Sequence, residues 1–170
     1  MSNAHNAWSR FGMRWTIVTA IALLFMDAIM FGAIGWSCLI CPIWFMFSIL
    51  KNAIQRPGWR LACFRIAVPP ITLILVLANY AVQYRIGAAN VQEIITACEE
   101  FHAANSAFPK SLHELVPMYI PFVPRARYSI YYNEFTYQYM EGHPLLVWYV
   151  APPYGRNVYT FEEHKWQYID

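Results

Sequence analysis

The chain has 170 residues, 58% of them hydrophobic, 18% aromatic and only 13% charged, where soluble domains carry roughly 25% charged residues. That deficit points to a membrane protein. The net charge of +2 divides into two dissimilar halves and gives no reason to invoke nucleic acid, because the basic residues of the first half flank apolar runs.

Residues 1–84 hold six Lys/Arg (Arg10, Arg14, Lys51, Arg56, Arg60, Arg65) against a single acid, Asp27, whereas residues 85–170 hold six basic and nine acidic side chains. Residues 15–50 form an apolar run interrupted only by Asp27. As one helix this run would be about 54 Å long, against a hydrocarbon core of about 30 Å. A hairpin of two helices, at about 15–32 and 36–50, uses the length better, with glycines at 32 and 35 to ease the reversal. Residues 51–65 follow with a Pro57-Gly58 turn signal and four basic side chains, then a third apolar stretch at 66–84.

The positive-inside rule decides between topologies. Three spans place Arg10, Arg14 and the 51–65 loop together in the cytoplasm and residues 85–170 outside. Two spans would force one basic segment across the membrane. The first apolar arm is longer than the hydrophobic region of a signal peptide and no A-x-A site follows, so it reads as an uncleaved anchor. The expectation is a multi-pass protein of the bacterial inner (cytoplasmic) membrane, with a cytoplasmic N-terminus, a transmembrane region over 1–84 and a periplasmic domain over 85–170.

After Arg85 the pattern changes to that of an amphipathic helix. Val91, Ile94, Ile95, Cys98 and Phe101 recur at helical spacing, while Glu93, Glu99 and Glu100 fall largely elsewhere. Phe108-Pro109 ends this helix, and Ser111 with Glu114 gives a capping-box pattern that predicts a short second helix through Leu115, closed by Pro117 and Pro121. Five β-type runs follow, at 128–132, 135–140, 144–150, 157–161 and 165–169, punctuated by turn residues as in an antiparallel meander. One face of such a sheet can be covered by the preceding helix, which makes the fold class α+β.

A membrane helix running into an amphipathic helix, then Phe108, Pro109, Ser111, Leu112, Glu114 and Leu115 at the turn, then a small meander ending near a Trp, resembles the type IV pilins and type II secretion pseudopilins. The resemblance covers about residues 66–170. It implies a main helix packed on an antiparallel sheet, and a place in an envelope or secretion-related assembly. In that family a leader ending in a small residue is cut before a Phe, with a Glu five residues into the mature helix. Here Phe64-Arg65-Ile66 precedes Pro69-Pro70, no Glu lies in the apolar part of the helix, and two further spans come first. The prepilin processing site is lacking.

Few residues suggest chemistry. Asp27 lies in an apolar arm, where an acid costs several kcal/mol; it is a candidate intramembrane functional residue, or else pairs with Asn79 or a Ser/Thr hydroxyl within the bundle, or lies near the hairpin turn and water. Cys38 and Cys41 have CxxC spacing, but without nearby His or a second pair they read as small buried hydrophobes. Cys63 and Cys98 are single. His102, His113, His143 and His164 lack metal-type spacing, and no G-x-S-x-G, phosphate-binding loop or GxGxxG occurs. The reading assigns no catalytic residue, cofactor or metal.

The aromatic wealth of 128–168 is more informative. Its residues are expected on both sheet faces, one of which a helix cannot cover, so Tyr131, Tyr137, Tyr139, Trp148, Tyr159 and Trp166 form a candidate partner surface. Ordinary β-propensity accounts for the same residues. Three functions follow as expectations. The first is a non-enzymatic membrane protein, in contact with the lipid bilayer, whose outer domain binds a protein partner in the cell envelope. The second is a membrane-anchored immunity protein that neutralises a periplasmic toxin. The third is a small membrane enzyme or transport subunit using Asp27.

Overall fold

The computed structural model describes residues 2–30, 33–140, 142–151 and 155–170. Three helices come first, α1 (Ser2–Met30), α2 (Ala33–Gln55) and α3 (Trp59–Asn105); a 3-10 turn at Leu112–Leu115 and strands β1 (Thr136–Met140), β2 (His143–Ala151), β3 (Gly155–Thr160) and β4 (Lys165–Ile169) follow. This is an α+β fold. The chain divides into two compact units, Met1–Tyr80 and Ala81–Asp170.

In the helical unit the usual burial order is inverted. Thr16, Asp27, Ser37, Ser48, Arg65 and Thr72 are buried, while Phe25, Trp36, Ile43, Phe47 and Ile74 are among the many large apolar side chains left exposed. Two helical segments, Gly35–Gln55 and Trp59–Asn105, are long and apolar enough to cross a membrane by length and composition. Pro42 lies inside α2, and Pro69 and Pro70 inside α3. Each proline removes one helical donor, so the carbonyls of Arg65 and Ile66 lose their usual partners in α3. The α2–α3 connection is tied by side chains: Asn52 Nδ2 donates to the Ala62 carbonyl at 3.0 Å, and Arg65 donates to Gln55 Oε1 at 3.1 Å. The reversal expected between Gly32 and Gly35 falls partly outside the described residues.

α3 runs through what the sequence presents as two pieces, the apolar stretch at 66–84 and the amphipathic helix beyond Arg85. In the second unit burial is conventional. Val91, Ile94, Ile95 and Cys98 from α3 meet Leu112, Leu115, Ile120, Leu146, Trp148, Tyr159 and Phe161 in one core. At about 1.5–3 kcal/mol per fully buried large apolar side chain, this cluster supplies the main stabilisation of the unit. Gly87 marks the closest approach: a Cβ there would lie 2.7 Å from the Ala126 carbonyl oxygen and 2.8 Å from the Trp148 ring.

The sheet is the expected meander, antiparallel in the order β1-β2-β3-β4. Its register aligns Tyr137, Leu146, Tyr159 and Trp166 across all four strands. Leu146 and Tyr159 are buried in the core with α3, so this row faces the helix. The opposite face carries Thr136, Gln138, Val147, Val158, Lys165 and Gln167 by the same alternation. Aromatic residues occupy both faces but unevenly: Tyr137, Tyr139, Trp148, Tyr159, Trp166 and Tyr168 share the helix-facing side, while Tyr149, next to Trp148, lies on the other, with its ring 5.3 Å from that of Tyr132. The reason is their spacing, since the pairs 137/139 and 166/168 fall at every second position and must point the same way.

Two local expectations differ from the structure. Residues 128–132 form no strand: the Tyr128 backbone N–H donates to Gln83 Oε1 at 3.0 Å, Ser129 Oγ donates to the Tyr131 carbonyl at 2.7 Å, and Tyr132 adopts φ +54°. These bonds replace a ladder with a compact loop. The short second helix is a 3-10 turn in which Ser111 makes no side-chain cap; Glu114 instead accepts from the Lys110 backbone N–H at 3.1 Å, which is half of a capping box displaced by one residue.

Candidate functional site

Asp27, the one acid of the first half, is buried and accepts a hydrogen bond from Asn79 Nδ2 at 2.9 Å. The pair joins α1 to α3 across 52 positions of sequence. A buried carboxylate needs such a donor, because an unpaired one costs far more than the bond returns. Nearby in sequence, Ser37 is fully buried with its hydroxyl oxygen unpaired. Cys38 is exposed and Cys41 buried, both as free thiols. CxxC spacing on a helix places the two cysteines three positions apart, on neighbouring but distinct parts of its surface.

The second unit brings together groups that are far apart in sequence. His143 Nδ1 lies 2.6 Å from Glu162 Oε1, and His164 Nδ1 lies 3.3 Å from Glu99 Oε1 and 3.4 Å from the Tyr159 hydroxyl. His102 stacks on Phe108 with ring centroids 4.2 Å apart. Glu99, His102, Phe108, Tyr139, Glu162 and His164 line an open cleft of about 720 Å³. Both histidine–carboxylate pairs are solvent-exposed, so their attraction is screened and weak. Among the described residues no group of three His, Cys, Asp or Glu is placed to hold a metal ion.

In the second unit burial favours the neutral forms of Cys98, Tyr137 and Tyr159. Cys98 sits in the core and its thiol is pushed up to about 12 by burial and then by the Glu99 charge. Burial likewise raises Tyr137, with Cys98, Tyr139 and Glu114 adding to it, and the Tyr137 hydroxyl donates to the Pro109 carbonyl at 2.7 Å. That bond ties β1 to the turn between α3 and the sheet. Tyr159 is raised by burial and then by Glu99. These shifts fit core residues rather than an activated nucleophile or base.

The six aromatic residues singled out in the sequence occupy three environments. Trp148 and Tyr159 belong to the core, and Trp148 packs on Tyr84 at 5.1 Å between ring centroids. Tyr137 is half-buried beside them. Tyr139, at the cleft, is 36% exposed, Trp166 on β4 is 41% exposed and Tyr131, off the sheet, is 54% exposed. Tyr168, two positions from Trp166, is exposed on the same row. No local pattern links Glu99 and His164, 65 positions apart; the packing of α3 on the sheet brings them together. Comparison of the chain with protein-family models, with curated proteins and with solved structures yields no match.

Proposed function

We propose that this is a bacterial inner-membrane protein with three spans at about 15–32, 36–50 and 66–84, cytoplasmic at its N-terminus, whose pilin-like domain binds a protein partner in the periplasm. The partner belongs to an envelope or secretion-related assembly, and the role is non-enzymatic. Support for the membrane part is the inverted burial of the helical unit, with polar side chains inside and Phe25, Trp36, Ile43 and Phe47 outside. A surface of that kind is unfavourable in water and natural in lipid.

The observation that carries the binding role is the edge strand β4. It is one of the two end strands of the sheet, and it exposes Trp166 and Tyr168 on its helix-facing side. Trp and Tyr are enriched where proteins meet, because a large rigid ring contributes apolar contact at little entropic cost. An unpaired edge offers backbone donors and acceptors to an added strand. Asp27, already answered by Asn79, holds the bundle together in this reading.

A photo-crosslinking residue placed at 166 or at 167 in living cells tests the role, because the two positions point to opposite sheet faces. A discrete adduct with another envelope protein from position 166, and none from 167, is the expected result. Equal crosslinking from both positions, or none from 166, would remove the β4 surface from the proposal.

A further inference from the structure

Between the 3-10 turn and β1 the chain runs down α3 in the direction of its apolar stretch. The Tyr119 ring lies 5.5 Å from Phe101, and its hydroxyl accepts from Asn105 Nδ2 at 3.4 Å. Further down, the Arg125 carbonyl accepts from Asn90 Nδ2 at 2.8 Å, and the Ala126 carbonyl faces Gly87. Lowest of all, the Tyr128 N–H meets Gln83. From Phe101 to Gln83 the helix descends about 27 Å, and the nine steps from Tyr119 to Tyr128 span about 30 Å when extended. The segment is therefore a nearly straight strap laid antiparallel on α3. It turns back at once, since the Ala126 N–H donates to the Asn133 carbonyl at 2.8 Å.

The turn-back places residues 128–132 at the level of Gln83, at the end of the 66–84 apolar stretch, and this is where the outer unit exposes a run of apolar and aromatic side chains. Tyr128 is 64% exposed, Ile130 66% and Tyr131 54%, and Tyr132 is 40% exposed with its ring 5.3 Å from that of Tyr149. Higher on the strap, Met118 and Phe122 are exposed singly. Arg85, two residues beyond Gln83 in α3, and Arg125, three residues before Tyr128, are both exposed. Three tyrosines, one isoleucine and two arginines at the mouth of an apolar helix form the composition that suits the headgroup layer: rings and the isoleucine enter the acyl boundary, hydroxyls stay among headgroups, and guanidinium groups meet lipid phosphates.

We infer that the 128–132 loop is a foot by which the outer domain rests in the lipid–water interface of its own membrane. The inference depends on the proposal that residues 66–84 of α3 cross the bilayer, and it adds a second lipid contact to that span. It also accounts for a loop where the sequence pattern favours a strand: the side chains are selected for a solvent that is neither water nor protein core.

The test uses the full chain with Cys38, Cys41 and Cys63 replaced by Ala, leaving the buried Cys98, in vesicles of phosphatidylcholine and phosphatidylglycerol. An environment-sensitive fluorophore is attached through Ile130→Cys, Lys110→Cys or Ile74→Cys, and quenched by lipids carrying a nitroxide on the headgroup or deep in the acyl chain. The Ile130 label should be quenched by the headgroup nitroxide several-fold more than the Lys110 label, and the Ile74 label should be quenched by the deep one. If the Ile74 label is quenched but the Ile130 label behaves like that at Lys110, the foot is wrong and the span stands. If the Ile74 label is not quenched, both fall.

Discussion

The two halves of α3 are built on opposite rules. Before Tyr80 the helix belongs to a unit that hides Thr72, Arg65 and Asp27 and displays Ile71 and Ile74; beyond it, the same helix hides Val91, Ile94, Ile95 and Cys98 and displays Gln92, Glu93 and Glu100. Backbone geometry is common to both, so the difference lies in the solvent each face is selected for. The contrast teaches that burial alone does not identify a core; what is buried, and against what, has to be read region by region.

The largest effects that separate the two halves should come from paired aromatic substitutions. Phe161→Ala opens a hole in the core of the second unit and should cost about 3–5 kcal/mol, measurable as a loss of that unit's cooperative unfolding transition. Phe47→Ala, on an exposed site of α2, should stay within about 0.5 kcal/mol, whereas Phe47→Asp should reduce membrane insertion by about 2.5–3.5 kcal/mol if that face meets lipid. Indifference of insertion to Phe47→Asp would break the contrast. Next in size is Gly87→Ala, where a methyl group must displace the Ala126 carbonyl or the Trp148 ring. It should destabilise the outer unit by about 1–3 kcal/mol, and protease resistance of the outer domain is a direct readout.

Smaller effects sharpen the role of the buried polar pair. Asp27→Asn keeps an acceptor for Asn79 and should change stability by less than about 1 kcal/mol, while Asp27→Leu orphans the amide and should cost about 1–3 kcal/mol. Thermal unfolding in detergent distinguishes them, and a full loss of function in Asp27→Asn with normal insertion would favour a chemical role for the carboxylate. The smallest effect appears only in alkali. Cys98 ionises near 9 in an unfolded chain and near 12 when folded. Above about pH 9 the unfolded state therefore binds fewer protons than the folded one, so stability falls as pH rises towards about 12 and is untouched below 9. Urea midpoints across that window should decline less steeply in Cys98→Val, and an unchanged slope would show that the thiol is not protected as its burial implies.

Much of this architecture is legible in the sequence, and the failures have physical causes. Val91, Ile94, Ile95 and Cys98 disclose the inner face of α3 because helical periodicity is local, and four of the five β-type runs become strands because their alternation and turn residues agree. The run at 128–132 has the same β-rich composition, but a side chain from Gln83 occupies its backbone, an event 45 positions away that no window reveals. The i, i+2 spacing of the pairs 137/139 and 166/168 puts each pair on one side of the sheet, whereas Tyr149, adjacent to Trp148, takes the other. The Asp27–Asn79 pair is among the expectations because a buried acid demands a donor; the Glu99–His164 pair, exposed and under no such demand, is not.

The central claim is that the inverted unit lies in lipid and the conventional unit outside the cytoplasm. Dual reporters, active only in the cytoplasm or only in the periplasm and fused after Gly35, after Arg56 and after Asp170, measure this directly. The account predicts periplasmic, cytoplasmic and periplasmic signals in that order. A cytoplasmic signal after Asp170 would contradict it and remove the periplasmic partner with it.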